Sequence, residues 1–281
     1  MPQDAPLAPI LVATDLSDRS APAVARAIRL ARDQSTRLIL VSVIDDALPL
    51  DVTADVARHA EAHLRDVMGD EDDVPHEIDV RVGDPTGDIL RAVDQHNAGL
   101  LVLGPHRPRP FLDMLRETTM QRIVRRTEAP VLLVIRPATA DYGATVAAVD
   151  FSPASAGAVS LAAKLAPGAK ITPVHGLHVP YVGRIHPESD PGLAIEASFR
   201  AEAEAAAAAW SAHQELAVPT LQPVRIETGS ALTVLRGAVA DTGADLIAAG
   251  AHGRVGAAPS LLGSVATDLM RDPPCDVLIA R

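Results

Sequence analysis

Short runs of aliphatic residues alternate along the chain with longer stretches in which apolar residues recur every three or four positions. Runs of four to eight aliphatic or β-branched residues are typical of buried strands, and a period near 3.6 is typical of amphipathic helices. In the first half this pattern predicts strands near 9–14, 37–43, 77–82, 99–104 and 130–135, and helices near 19–33, 51–69, 85–96 and 118–127.

The second half of the chain repeats the pattern of the first. The stretch from Ile10 to Ala31 is similar to the stretch from Thr145 to Ala166, in a register that pairs Asp15 with Asp150. A repeat of this length is the size of a domain. The second half is predicted to form strands near 144–149, 169–175, 222–227, 244–249 and 276–280, and helices near 153–166, 191–214, 231–242 and 264–271.

Strands that alternate with helices predict right-handed βαβ crossovers and parallel sheets. We therefore expect two tandem α/β domains, residues 1–137 and 144–281, each a doubly wound, five-stranded parallel sheet with helices on both faces. The boundary falls in 136–143, which is rich in Pro, Gly and small polar residues. Hydrophobic residues make up 48% of the chain but aromatic residues only 2%, so the core must be aliphatic.

Charge and cysteine content narrow the function classes. The net charge is −11 and both halves are acidic, which disfavours nucleic acid as a partner. Cys275 is the single cysteine, so no intrachain disulfide can form, and we expect a reducing, cytoplasmic setting. The longest aliphatic run, Leu38 to Ile44, is too short to span a bilayer, and no signal peptide is evident, so we expect no membrane insertion.

A glycine-rich motif in the second half carries the clearest chemistry. Gly250, Gly253, Gly263 and Ser264 form the pattern G-x2-G-x9-G-S between a predicted strand and a predicted helix. Because these glycines have no Cβ, they allow positive φ and let backbone N–H groups approach an anion closely. The Ser264 hydroxyl and the first-turn N–H groups of the helix would then bind phosphate.

Asp150 ends the first predicted strand of the same half, and a carboxylate there can accept hydrogen bonds from ribose hydroxyls. In a doubly wound sheet, ligands bind where the strand order reverses, which would bring Asp150 and Gly250 together between strands 1 and 4. The alternative is structural: the glycines only end a strand and Ser264 is an ordinary N-cap. The coincidence of four spaced positions with Asp150 favours a nucleotide site.

These motifs resemble those of the universal stress protein family, and both halves of the chain look like members. The resemblance implies sheet order 3-2-1-4-5, a stress-linked regulatory role with a protein partner, and ATP with Mg²⁺ as the ligand, ADP or AMP being alternatives. It also implies pairing through strand 5, within the chain as a pseudo-dimer and between chains as a homodimer. The resemblance assigns nucleotide contacts to Ala148, Asp150, Ala249, Gly250, His252, Gly253, Gly263, Ser264 and Val265, with Gly176 at the adenine position.

Two departures from the family pattern matter. Gly176 stands where the family often has a larger apolar residue, so we expect a roomier or differently closed adenine pocket. In the first half, Arg107 and Glu117 replace the glycines that match Gly253 and Gly263, and a carboxylate there would repel phosphate. We therefore predict that only the second domain binds ATP. Solvated or interface positions are the simpler interpretation of Arg107, Arg109 and Arg116, with an anion site as the alternative.

The remaining clusters of polar residues give weaker indications of a function. His59 and His63 lie four apart on a predicted helix, but no third metal ligand follows from the spacing, so we predict no metal site there. His175 and His178 follow strand 2 of the second domain, close to the proposed nucleotide crevice, where a structural role is the simpler interpretation and contact with a ligand is the alternative. No nucleophile has a recognisable base, so we expect a non-enzymatic protein, with slow ATP hydrolysis left open. A scaffold that binds a protein or a non-nucleotide ligand is the alternative function.

Overall fold

The computed structural model divides the chain into two compact units, residues 1–140 (unit 1) and 141–281 (unit 2). Each unit is an α/β domain, as the repeat predicts. The residues that the structure describes are 8–47, 49–69, 71, 73–105, 119–180, 190–213, 218, 220–253 and 262–281.

Unit 1 is a parallel sheet of five strands in the order β3-β2-β1-β4-β5. The register places Ile10 between Leu38 and Leu100, so the first residues of the three central strands are aligned. The elements of unit 1 are β1 (Ile10–Ala13), α1 (Ala21–Asp33), β2 (Leu38–Asp45), α2 (Leu50–Met68), β3 (His76–Gly83), α3 (Pro85–Gln95), β4 (Leu100–Leu103), α4 (Thr119–Arg126) and β5 (Val131–Leu133).

Unit 2 repeats this topology with the strand order β8-β7-β6-β9-β10, again all parallel. Thr145 lies between Ile171 and Leu246, which matches the register of Ile10 in unit 1. The elements of unit 2 are β6 (Ala144–Ala148), α5 (Pro153–Leu165), β7 (Lys170–Leu177), α6 (Asp190–His213), β8 (Arg225–Thr228), α7 (Ala231–Thr242), β9 (Leu246–Gly250), α8 (Ser264–Arg271) and β10 (Asp276–Ala280).

The central strands form the core of each unit. All four residues of β1 and all four of β4 are buried. Because successive side chains of a strand point to opposite faces, burial of every residue means that both faces of the sheet are covered. The predicted aliphatic core is confirmed, since the largest fully buried side chains are Leu, Ile and Met.

The helices begin at the positions where the sequence places capping residues. The Ser152 hydroxyl accepts the Ser155 amide N–H at 3.2 Å at the start of α5, and Ser230 caps α7 in the same way. Such caps satisfy amide groups that have no partner within the helix. Every predicted element occurs, with boundaries that differ by a few residues; β8, for example, begins at Arg225 rather than near 222.

In unit 2 the chain leaves β6 towards β7 on one side, and β9 pairs with β6 on the other. The strand order therefore reverses at β6, and a crevice opens at the carboxyl ends of β6 and β9. None of the helices in the described ranges is both long and apolar enough to cross a membrane.

Candidate functional site

A cavity of about 210 Å³ lies at the carboxyl ends of β6, β7 and β9 in unit 2. The first turns of α5, α7 and α8 close it from the helix side. The structure brings all ten sequence-predicted site residues to this one cavity: Ala148, Asp150, Gly176, Ala249, Gly250, His252, Gly253, Gly263, Ser264 and Val265.

A tight turn after β6 holds Asp150 at the edge of the cavity. Its Oδ1 accepts hydrogen bonds from the Ser152 amide at 3.1 Å and from the Ser152 hydroxyl at 2.6 Å. Phe151, between them, has φ = 67°, a left-handed conformation that a bulky residue rarely adopts. Such a residue costs about 1–3 kcal/mol, so the surrounding contacts must impose the turn.

Unit 1 contains the same turn. The Asp15 Oδ1 accepts the amide and the hydroxyl of Ser17, and Leu16 has φ = 60°. Burial alone would raise the pKa of the Asp15 carboxyl, but hydrogen bonds from Ser17 and Ser20 hold it below the ordinary value. The acidic turn therefore belongs to the repeated fold, and its presence does not distinguish the two units.

The motif glycines allow close approach of neighbouring atoms, and they do not have positive φ. Within the described residues, positive φ among glycines occurs only at Gly83, Gly229 and Gly243. A Cβ on Gly250 would lie 2.9 Å from the Ala154 carbonyl carbon, so this glycine lets β9 contact the start of α5. The motif glycines therefore do not use the positive φ that glycine allows, and Gly250 is required for close packing instead.

Gly253 and Gly263 serve the cavity more directly. A Cβ on Gly253 would lie 3.1 Å from Oδ2 of Asp150, and one on Gly263 would lie 3.3 Å from the Ala251 carbonyl oxygen. The Gly263 amide donates to that same carbonyl at 2.8 Å, which ties the start of α8 to the end of β9. Both glycines thus keep side-chain atoms away from the space between Asp150 and α8.

Helix α8 directs its first turn at the cavity. Gly263 is the N-cap and Ser264 is the first helical residue, as the sequence predicted for the start of this helix. Ser264, Val265 and Ala266 all line the cavity. Amide groups of a first turn have no partner within the helix, and the helix dipole makes this end attractive to anions. This end of the cavity can accept a phosphate.

At Gly176 the structure shows the second of the two expected alternatives, a differently closed pocket. A Cβ there would lie 2.8 Å from the Cα of Ala231, the first residue of α7. The helix start therefore occupies the space that a larger side chain would fill. The cavity is closed differently at this position, and it is not roomier.

His175 is a cavity residue that the sequence did not assign to the site. Its Nδ1 lies 2.8 Å from the carbonyl oxygen of Val149. Because a carbonyl can only accept, Nδ1 carries the proton and Nε2 of the neutral ring is an acceptor. The ring packs on Phe151 with centroids 4.6 Å apart, and Phe151 packs edge-on against Trp210 at 6.3 Å. Its position beside Gly176, at the end of strand 2, is the sequence feature that could have identified His175 as a site residue.

Other cavity residues that the sequence analysis missed are mostly apolar and have no distinctive motif. They are contributed by strand ends and by the first turns of the flanking helices. These residues are Val149, Ser155, Val174, Ala231, Leu235 and Ala266.

His252 shows the opposite tautomer to His175. Its Nε2 lies 3.5 Å from an Nη of Arg281, and a guanidinium can only donate. Nε2 must therefore accept, which leaves the proton on Nδ1. The Nδ1 atom is buried and has no hydrogen-bond partner within the described part of the chain. The His175 ring is thus an acceptor at the β7 side of the cavity, whereas the His252 Nδ1 atom is enclosed by protein atoms.

The corresponding edge of unit 1 is only partly described. Gly104 packs on Ser20 there, with a Cβ position 3.1 Å from the Ser20 Cα, just as Gly250 packs on α5. The predictions for Arg107, Arg109, Arg116 and Glu117 fall outside the described residues. A cavity of about 520 Å³ in unit 1 lies elsewhere, between α1 and α2.

The remaining candidates stay apart from the cavity. His59 and His63 are exposed on α2, and His178 is exposed after β7. Among the residues with described positions, no three or more His, Cys, Asp or Glu side chains cluster as metal ligands. The Cys275 side chain is fully buried.

Comparison with known proteins agrees with this architecture. The family model of the universal stress proteins matches residues 7–134 and again 142–281. The chain therefore belongs to the universal stress protein family, as a tandem member with two copies of the domain.

Solved structures show the same fold across both units. A protein of unknown function from Pseudomonas aeruginosa is 21% identical, with a TM-score of 0.68 over 99% of this chain and 93% of that chain. A universal stress protein from Archaeoglobus fulgidus is 18% identical, with a TM-score of 0.66 over 97% of this chain and 98% of that chain. Among curated proteins, none matches the sequence.

Proposed function

We propose that unit 2 binds an adenine nucleotide, ATP foremost, and that the protein acts as a nucleotide-dependent regulator in the stress response. One observation carries the proposal: residues from four separate segments of the sequence, chosen for nucleotide contacts, line a single cavity at the point where the strand order reverses. That position is where open α/β sheets bind ligands.

The polarity of the cavity matches the parts of a nucleotide. The first turn of α8 offers amide donors for phosphate. The Asp150 carboxylate offers acceptors for ribose hydroxyls, and Nε2 of His175 offers an acceptor for an exocyclic amine such as that of adenine. Donors at one end and acceptors at the other favour one orientation of the ligand.

Mg²⁺ fits this donor set. Asp150 is the carboxylate that lines the cavity, and Mg²⁺ commonly binds through one or two carboxylates together with substrate phosphates. Asp150 would hold the ion on the phosphate side, where it would supply neutralising charge. The fixed Ser152 contacts keep the Asp150 carboxylate in place for that role.

Regulation rather than catalysis is proposed because, among the described residues that line the cavity, no side chain is arranged as a nucleophile with its base. A hydrolysis assay tests this part: turnover above the rate of a Gly263→Val variant would make the protein an enzyme.

The scaffold function is the second candidate. The cavity volume of about 210 Å³ favours it, since typical small-molecule sites measure about 300–1,000 Å³.

The nucleotide released on denaturing freshly purified protein tests the proposal. Mass spectrometry is expected to find about one adenine nucleotide per chain in the wild type and none in the Gly253→Val, Gly263→Val double variant. Gly157→Ala is the matched control, because a Cβ on Gly157 meets nothing within 4 Å and should leave the yield unchanged.

The other outcomes are equally informative. A yield near two per chain would mean that unit 1 also binds nucleotide. No released nucleotide, combined with no calorimetric response to added ATP, would favour the scaffold. A reducing cytoplasmic setting, a homodimer through strand 5 and a protein partner belong to the same proposal, and gel filtration with crosslinking checks the dimer.

A further inference from the structure

The cavity of about 520 Å³ between α1 and α2 of unit 1 has an apolar floor. Val24 and Ile28 of α1 are each 6% exposed, and Leu64 of α2 is 1% exposed. Val67 also lines the cavity and is 37% exposed, so apolar surface reaches solvent there. The volume falls within the range of about 300–1,000 Å³ that is typical of small-molecule sites. Such walls suit an apolar ligand better than water, which needs polar partners.

Comparison of the two units explains why this space is open. In the register of the repeat Leu16 corresponds to Phe151, and both have a left-handed conformation, with φ = 60° and φ = 67°. In unit 2 the Phe151 ring packs on His175 and edge-on against Trp210 of α6. In unit 1 the smaller Leu16 lines the cavity, and the sequences of α1 and α2 contain no Phe, Tyr or Trp. The side chains beside this turn therefore fill less volume in unit 1 than in unit 2.

The polar side chains near the start of α1 bond to one another. The hydroxyl oxygens of Thr14 and Ser20 are 2.8 Å apart, and the Ser20 hydroxyl donates to the Ser17 carbonyl oxygen at 2.9 Å. Asp18 lines the cavity at this end, where its negative charge would repel an anion. The start of α1 is therefore unfavourable for an anionic group of a ligand.

Basic side chains line the other end of the cavity. Arg29 lies half-buried on α1, and His63 lines the cavity from α2. The acidic residue at this end, Glu71, forms an ion pair with Arg32, which also donates to Oδ2 of Asp73 at 2.6 Å. The protein itself therefore neutralises the charge of Glu71. A guanidinium has five N–H donors, so Arg29 can bind a carboxylate in addition to its contacts within the protein.

We propose that the cavity of unit 1 binds an amphipathic anion, a small molecule with an extended apolar body and one carboxylate or similar group. The apolar body lies along Val24, Ile28 and Leu64, and the anionic group binds Arg29. From Ala21 to Arg29 the helix α1 rises about 12 Å, at about 1.5 Å for each residue, which is the length available to the apolar body. All the lining residues belong to unit 1, so this inference does not depend on nucleotide binding by unit 2.

Isothermal titration calorimetry of the full chain with decanoate tests the site. We expect saturable binding of about one decanoate per chain, and at least about tenfold weaker binding of decyltrimethylammonium, which carries the opposite charge. Ala25 is exposed and lines the cavity, so the indole of Ala25→Trp can occupy the space and should weaken decanoate at least about tenfold. Ala62→Trp is the matched control, because Ala62 is exposed on α2 and does not line the cavity.

Arg29→Gln tests the contact with the anionic group. We expect this change to weaken decanoate about tenfold, the size of one hydrogen bond to a charged group, and to change the affinity for uncharged decanol less than twofold. Arg58→Gln is the matched control, because it removes the same charge from an exposed position of α2 outside the cavity. Thermal unfolding of each variant checks that unit 1 keeps its fold.

Two results would overturn the site: no saturable binding of decanoate to the wild type, or normal binding to Ala25→Trp, which would place the ligand elsewhere. Equal affinity for decanoate and decyltrimethylammonium, or unchanged decanoate affinity in Arg29→Gln, would overturn the assignment of the anionic group. These outcomes are distinct from a failure of the proposed function, which the yield of released nucleotide measures separately.

Discussion

Gly250 and Gly253 belong to the same motif, yet the structure predicts opposite consequences when each is replaced by alanine. A Cβ on Gly250 would meet backbone and side-chain atoms of Ala154, both at 2.9 Å, and the Ser155 amide at 3.1 Å. A Cβ on Gly253 would meet only the Asp150 Oδ2, at 3.1 Å. The first change disturbs the contact of β9 with α5, and the second disturbs a side chain of the candidate site.

The sizes of the two effects follow from what can move. Backbone atoms of α5 cannot shift without separating strand and helix, so Gly250→Ala should cost about 1–3 kcal/mol, as overpacking generally does. For a unit of this size that lowers Tm by roughly 3–12 °C. Gly253 does not have positive φ, and a carboxylate oxygen can yield by a few tenths of an ångström, so Gly253→Ala should change stability by less than about 0.5 kcal/mol.

Binding should show the reverse ranking. A methyl group on Gly253 would stand in the space beside the Asp150 Oδ2 and keep a ligand from this charged group, whose hydrogen bonds are worth about 1.5–3 kcal/mol, so Gly253→Ala should weaken ATP binding about 10- to 100-fold. Thermal unfolding and calorimetry on both variants measure the two effects, with Gly157→Ala as the control for alanine at an unconstrained glycine. A Gly253→Ala protein that binds ATP normally, or that loses as much Tm as Gly250→Ala, would refute this reasoning.

Two further predictions concern stability. Tyr142→Phe removes the hydroxyl that donates to the buried Asp276 carboxylate at 2.7 Å, and should cost about 1–3 kcal/mol in urea unfolding; an unchanged midpoint would contradict it. Burial would raise the pKa of Asp79, but hydrogen bonds from Arg81 and His96 hold that pKa below its ordinary value. The contribution of Asp79 to stability is therefore present above about pH 4 and is lost as the pH falls through the lowered pKa. Asp79→Asn should consequently make the free energy of unfolding fall less steeply at acid pH. An unchanged slope at acid pH would contradict this prediction.

The order of helices and strands could be predicted because it depends on local patterns of apolar and polar residues. Aliphatic runs such as Leu38–Val41 are buried strands, and the amphipathic stretch 21–33 is a helix. The duplication added independent support, since two copies had to yield the same elements. The pattern could not predict the exact boundaries of the elements, such as the start of β8 at Arg225, because tertiary contacts decide them.

The sequence predicted which residues form the site, but not the close contacts and histidine tautomers that determine how they act. The spacing of the glycines identified the loop, yet only the approach of Ala154 to Gly250 shows why glycine is needed there. The tautomers of His175 and His252 depend on the Val149 carbonyl and on Arg281, which lie 26 and 29 positions away in the sequence. No local pattern encodes such pairings.

The two units also differ in their second strands, β2 in unit 1 and β7 in unit 2, which the strand register allows us to compare. Leu38 pairs with Ile10 as Ile171 pairs with Thr145, so Ser42 and Val43 of β2 stand where His175 and Gly176 stand on β7. Ser42 is buried, and it cannot reproduce the acceptor ring that His175 places against the cavity.

Unit 1 therefore differs at the base end as well as in the loop sequence that contains Arg107 and Glu117. Among its described residues, unit 1 keeps the acidic turn of Asp15, which serves the fold in both copies, and the close packing of Gly104 on Ser20. Restoring glycine at positions 107 and 117 alone should consequently not give unit 1 the ATP affinity of unit 2. A double variant that gained a second nucleotide of equal affinity would show that the His175 acceptor is dispensable.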